Sequence, residues 1–249
     1  MMPTMKNDTS PIYKGSDVCE DNLPSLLTLW LPIATILAYA AIFFTGGKEA
    51  AANSLLEDGP FENFQVVLVG CAFLTGAYIL AKMPPRNTPW LLGWILLATL
   101  GCLFIAGEEI SWGQRIIGWA TPEGWADINT HKETNLHNLS GLLNNLPKTL
   151  LEYGIYAGVL GVALLRKFKK SWLPEKFAII YPAFLVSLPS VVMLLALRLG
   201  KYLDKTMETG FLPRVSELSE IYLYLFMLCY MLVLKNRLVQ QGVSAVPVK

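Results

Sequence analysis

The stretch Ala106-Gly107-Glu108-Glu109-Ile110-Ser111-Trp112-Gly113-Gln114-Arg115 gathers two adjacent carboxylates, a hydroxyl, an amide and a guanidinium at the end of an apolar run that starts at Pro89. Ionisable groups placed there are costly unless they are paired or working. On a continued helix, Glu108, Ser111 and Arg115 share one face, and Glu109 points about 100° away. One carboxylate would then pair with Arg115 while the other faces a neighbouring segment. The chain's two histidines, His131 and His137, lie downstream of this stretch. Glu133 and His137 are four residues apart, so a helix would set them side by side, as ligands of zinc or another divalent ion are set. A third ligand would come from Glu108, Glu109 or Glu220, which makes Glu109, Glu133 and His137 the candidate metal set. A histidine hydrogen-bonded to a carboxylate without metal satisfies the same spacing. Glu217 and Glu220 open the last apolar run on one helical face, with Tyr224 one turn later. These types supply general acids and bases (Glu108, Glu109, Glu220, His137) and an anchor for a phosphate or carboxylate (Arg115). Trp112, Gln114 and Asn135 stand beside them as substrate contacts.

Composition says what must position these groups. The chain has 249 residues, of which 53% are hydrophobic and only 16% charged, with a mean hydropathy of +0.44. Soluble domains carry about 25% charged residues, so the deficit indicates a membrane protein. A net charge of +1 gives no electrostatic footing for nucleic acid as a partner. The four cysteines (Cys19, Cys71, Cys102, Cys229) are dispersed, three of them inside apolar runs, which is neither a disulfide framework nor a zinc pattern. Neither a phosphate-cradling Gly-rich loop ending in Lys-Ser/Thr nor a Gly-x-Ser-x-Gly elbow occurs.

Six runs reach the roughly 20 residues that a helix needs to cross a bilayer. They are 23–45, bent at Pro32; 61–81; 89–105, extended through the Glu108 stretch; 150–165, with a glycine face at Gly154, Gly158 and Gly161; 177–197, interrupted by Pro182 and Pro189; and 218–234. No alternating strand pattern is visible. The expected architecture is an all-α polytopic bundle over 23–236, with a polar tail at 1–22 that lacks the features of a signal peptide, and a second tail at 237–249. Counting lysine and arginine in the connections puts twelve on the side shared by both tails and eight on the other. The positive-inside rule then places both termini in the cytoplasm. The acids concentrate on the opposite, outer side.

The longest connection, 118–149, lies on that outer side. Trp119 and Trp125 suit a membrane–water interface. Leu136, Leu139, Leu143 and Leu146 recur at helical spacing, which predicts a short amphipathic helix over 135–145, ended by Pro147 as the chain turns into the fourth span.

The segments Ala106-Gly-Glu-Glu-Ile-Ser-Trp-Gly-Gln-Arg-Ile116 and Glu133-Thr-Asn-Leu-His-Asn138, with Glu57-Asp-Gly upstream, resemble a group of bacterial multi-pass membrane proteins without an established activity. The resemblance covers about residues 55–140 and implies a bacterial inner-membrane protein without implying a reaction. Asp17-Val-Cys-Glu-Asp-Asn22 is similar to the calcium loop of alkaline ceramidases, but this chain lacks the zinc histidines that such enzymes need.

Three classes of function fit. The first is an intramembrane enzyme acting on a lipid or lipid-linked substrate. The second is a non-catalytic subunit or scaffold bound to other membrane subunits. The third is a proton-coupled transporter, disfavoured because the acids sit at one face and no inverted repeat is visible. A divalent metal is the cofactor the ligand set would take.

Overall fold

The computed structural model describes residues 21–56, 59–85, 87–129, 132–136, 139, 141–208 and 210–241; the side chains of 115, 141–145 and 170 lie outside the description. Among the described residues the only regular secondary structure is helix, and six helical segments are long and apolar enough to cross a membrane. A π-helical turn at Leu26–Trp30 leads into α1 (Leu31–Ser54), where Pro32 occupies the first turn. The first span therefore runs on to Ser54, with its break at Gly47 (φ 78°). Helices α2 (Pro60–Lys82) and α3 (Pro89–Glu109) both start on a proline, whose fixed φ and missing N–H suit the first helical position.

After two short helices, α4 (Gln114–Ile117) and α5 (Glu123–Ala126), the fourth span is built from α6 (Gly141–Tyr156), a π-helical stretch and α7 (Val162–Phe168). Pro147 does not end a helix: it lies inside α6, which begins at Gly141 and runs through it. The fifth span, α8 (Phe184–Met207), starts after Pro182 and carries Pro189 within it, while residues 175–180 form a separate 3₁₀ segment. The last span is α9 (Val215–Gln240).

Helix α9 is the central post. In its most apolar stretch 72% of residues are buried, against 17–33% in the other five spans. It packs most extensively on α2 and α8, and α2 in turn pairs with α3. At Gly76 of α2 a Cβ would lie 2.2 Å from the Thr99 hydroxyl of α3 and 2.7 Å from Met231 of α9, so the missing side chain is what lets the three helices meet.

Lipid is as apolar as leucine, so helix association in a membrane leans on packing and interhelical hydrogen bonds. Here the bonds cluster toward the two ends of the bundle. Toward one end, the Trp94 indole of α3 donates to Tyr230 of α9 (2.7 Å), whose hydroxyl donates to the Ile180 carbonyl (2.9 Å). Arg237 reaches Asp21 and two carbonyls at the same end. Toward the other end, the Gln65 side chain of α2 donates to the Glu217 carbonyl at 2.7 Å. The acid-rich cluster described below gathers there.

Candidate functional site

Helix α3 does not continue through the Glu108 stretch. It stops at Glu109, and Ser111, Trp112 and Gly113 follow in the left-handed region, with φ of 48°, 55° and 95°. Left-handed serine and tryptophan are uncommon and strained, and such strain persists only where the surroundings over-determine it. The surroundings here are specific. The Trp112 indole folds back over Gly107, where a Cβ would sit 2.8 Å from the ring. Its Nε1 donates to Glu108 Oε1 at 2.6 Å, and the ring meets Phe104 edge-on. The turn therefore removes Ser111 from the helical face it was expected to share with Glu108. The Arg115 side chain lies outside the described residues.

Ser111 instead belongs to the outer loop. Its hydroxyl donates to Glu133 Oε2 (2.6 Å) and accepts from Asn135 Nδ2 (3.0 Å), which also donates to Glu133 (2.8 Å). Asn129 Nδ2 donates to both the backbone and the side-chain oxygen of Asn135, each at 2.9 Å. Gln114 spans the gap: Oε1 accepts from the Thr134 N–H (2.7 Å) and Nε2 donates to Thr121 (2.6 Å). The Leu136 N–H donates to Glu108 Oε2 at 2.6 Å. Side chains that bind nearby backbone offer the chain an alternative to a helix. Residues 132–136 accordingly are not helical, so the helix expected over 135–145 does not include Asn135 or Leu136; Gly141 onward is helical, and His137, Asn138 and Ser140 lie outside the described residues. The side-by-side placement of Glu133 and His137 on a helix is therefore not available, because Glu133 precedes any helix.

Replacing Gly107 by alanine tests this knot. The added methyl pushes the indole off Glu108, with an overpacking cost of about 1–3 kcal/mol. The expected result is a lower melting temperature and faster tryptic cleavage at exposed Lys132; an unchanged cleavage rate would show that the loop is not held through Trp112.

The second polar system lies inside the bundle. Tyr224 of α9, one turn after Glu220, donates to Glu109 Oε1 of α3 at 2.6 Å and lies 3.3 Å from Glu220 Oε2. Glu220 is 1% exposed, and its Oε1 accepts from Lys148 Nζ of α6 at 2.6 Å. Lys148 also faces Glu109 and Glu217. Three spans thus contribute one run of side chains, Glu109–Tyr224–Glu220–Lys148. Glu109, Tyr224 and Lys148 of this run line a half-open cavity of about 120 Å³ whose walls include Phe104, Ile105, Leu136, Leu151 and Leu223, with Glu108 beside them. On the other side of Lys148 and Leu223 lies a second depression of about 300 Å³. There Arg198 of α8 grips both oxygens of Glu152, which also accepts from Tyr156 at 2.6 Å.

The structure thus brings Glu108 and Glu109 to one cavity, joins Glu220 to Glu109 through Tyr224, and ties Gln114, Trp112, Asn135 and Glu133 into the loop that closes over α3. Glu109 and Glu133 enter different hydrogen-bond systems. Among the described residues no group of three histidine, cysteine or acidic side chains converges as metal ligands; His131 and His137 lie outside that description. Tyr224, expected one turn after Glu220, belongs to the site, as does Arg198. Lys148 and Glu152 also belong to it; lying four residues apart at the start of an apolar run is the signal that could have found them.

Fold and site together define a multi-pass integral membrane protein with a polar, partly buried site at one end of its bundle. Comparison with known proteins finds no match: no family model, no curated protein and no solved structure aligns with the chain.

Proposed function

We propose that the protein is a membrane-embedded enzyme that acts on a lipid or lipid-linked substrate entering between α3, α6 and α9. The observation that carries this reading is the run Glu109–Tyr224–Glu220–Lys148 beside an apolar cavity. The Tyr224 phenol has one proton to give and two carboxyls within reach, so both contacts are hydrogen bonds only when a carboxyl carries a proton. Such a shared proton is what acid–base chemistry on a bound group requires. Glu109 would take or return the proton at the substrate, Tyr224 would pass it between the carboxyls, and Lys148 would hold the negative charge left on Glu220. The Trp112 and Leu136 bonds to Glu108 would keep that carboxylate aimed and the outer loop closed.

The resemblance of the 106–116 and 133–138 segments supports a bacterial inner membrane as the location. The lysine and arginine distribution supports termini in the cytoplasm and a site toward the outer leaflet.

The test is purified protein in nanodiscs of total bacterial lipid, with products followed by mass spectrometry. Wild type should convert a lipid species, and Glu109→Gln and Tyr224→Phe should lower the rate by about 10²–10⁴, the usual contribution of a positioned acid or base. Their melting temperatures should stay within a few degrees of wild type. No conversion by wild type, or full activity in both variants, overturns the reading. Loss of melting temperature in place of turnover would favour the scaffold role.

A further inference from the structure

The depression beside Lys148 is not needed for the proton run, and its charges are unevenly committed. Its walls come from α6, α8 and α9 and bring together Lys148, Arg198, Lys201, Glu152 and Glu220, with the hydroxyls of Thr149 and Ser216. The two acids are engaged: Glu152 by Arg198 and Tyr156, Glu220 by Lys148. Lys201 reaches the same space within electrostatic range of Glu152, but no ion pair at contact distance holds it among the described residues. Lys148 is shared with Glu109 and Glu217 as well and Arg198 is held on Glu152, so Lys201 is the cation in this space left to take an anion, with the outward-facing parts of Arg198 and Lys148 beside it. Ser216 is exposed and Thr149 half-buried, so both hydroxyls can turn toward one. Lys148 and Leu223 line both this polar depression and the apolar cavity on the α3 side, and Glu220 lines the depression. An amphiphile whose charged group occupied the first and whose chain occupied the second would place the bond between them against Lys148 and Glu220.

We propose that this depression is the headgroup subsite for a phosphate-bearing anionic lipid, with Lys201 and Arg198 as the outer contacts and Lys148 as the inner one. It rests on the reading of the adjacent cavity as a lipid site, and it assigns the substrate's chemistry: a phosphate next to an acyl or polyprenyl tail. Phosphate oxygens accept charge-assisted hydrogen bonds from lysine and arginine, and these are stronger than neutral ones.

The experiment is thermal denaturation of the full chain in neutral detergent with dioleoylphosphatidylglycerol, with dioleoylglycerol (the same tails without phosphate), or with inorganic phosphate. The phospholipid should raise the melting temperature with a saturable dose dependence, and dioleoylglycerol should not. Lys201→Glu should melt like wild type without lipid and bind phosphatidylglycerol about tenfold more weakly or worse, the loss expected from one charge-assisted contact. Should Lys201→Glu fold poorly, Ser216→Asp puts a repelling charge at the exposed rim and should weaken binding in the same sense.

Equal stabilisation by both lipids would overturn the proposal, because tails alone would explain it. Inorganic phosphate reproducing the whole shift at the same concentration would also overturn it, leaving a free-ion site. Wild-type affinity in both variants would do so as well. Because binding is read without turnover, the two readings fail separately. Phosphatidylglycerol bound while no species of the total bacterial lipid is converted keeps the subsite and removes the enzyme. Conversion of a phosphate-free lipid keeps the enzyme and removes the subsite.

Discussion

Lys148→Met is expected to destabilise the protein by about 3 kcal/mol, near the lower end of the ~3–5 kcal/mol seen when one partner of a buried ion pair is removed. Methionine keeps most of the stem in the cavity wall beside Pro147 and Leu151 but deletes the ammonium. What remains is Glu220, 1% exposed, with its Oε1 deprived of the donor that now lies 2.6 Å away. The lower end applies because the Lys148 side chain is itself 26% exposed and water can partly take its place. The cost arises from an uncompensated buried charge, and that origin is testable. In Lys148→Met/Glu220→Gln both charges are gone, so most of the loss should return although two native groups are missing. A double-mutant cycle measured by thermal or denaturant unfolding in detergent should give a coupling of about 1–3 kcal/mol, within the range of residues in direct contact. Additive losses would mean that water already solvates Glu220, and the run of side chains through Tyr224 would lose its dry setting.

The spans were legible because each is a continuous apolar run of bilayer length, and a run needs no knowledge of its neighbours. Helix ends were read less well where tertiary bonds decide them. Pro147 looked like a stop, yet α6 begins six residues earlier and carries it inside. In Ser111-Trp112-Gly113 only the glycine marks a left-handed position; Ser111 and Trp112 join it because Gly107, Glu108, Glu133 and Asn135, outside the segment, receive their side chains. The meeting of acids from several segments at one end was visible from topology alone, since alternating spans return to the same side. The identity of the partners was not. Lys148 read only as a vote on orientation, while its role depends on the rotation of α6 about its own axis. The centrality of α9 was hidden by its composition, no more apolar than its neighbours, although Glu220, Tyr224 and Arg237 within one span are the kind of groups that a lipid-facing helix would not carry.

Arg237 anchors the opposite end of the same helix, and Arg237→Met should be the most damaging single change there. The guanidinium is 3% exposed. Nε and Nη2 donate to the two oxygens of Asp21 at 2.8 and 2.6 Å, while Nη1 donates to the carbonyls of Ile179 (2.7 Å) and Tyr181 (2.6 Å). One side chain thus ties the segment before the first span, the 3₁₀ segment before α8 and the end of α9. Its loss leaves a carboxylate, the buried Ile179 carbonyl and the part-buried Tyr181 carbonyl without their donor, at a cost of about 3–5 kcal/mol. Arg237→Lys keeps the charge but not the planar fork, so it cannot serve Asp21 in bidentate fashion and both carbonyls at once, and should recover only part of the loss. Asp21→Asn should cost less than either, because Asp21 is 25% exposed and the carbonyl contacts survive. Hydrogen exchange gives the local readout: the 175–183 amides should exchange faster in Arg237→Met, less so in Arg237→Lys, and nearly as wild type in Asp21→Asn. A graded order of Met, Lys, Asn in both melting temperature and exchange follows from the fork geometry. Equal damage from Lys and Met would mean that fit, not charge, carries the whole effect, and wild-type exchange in Arg237→Met would remove the clamp altogether.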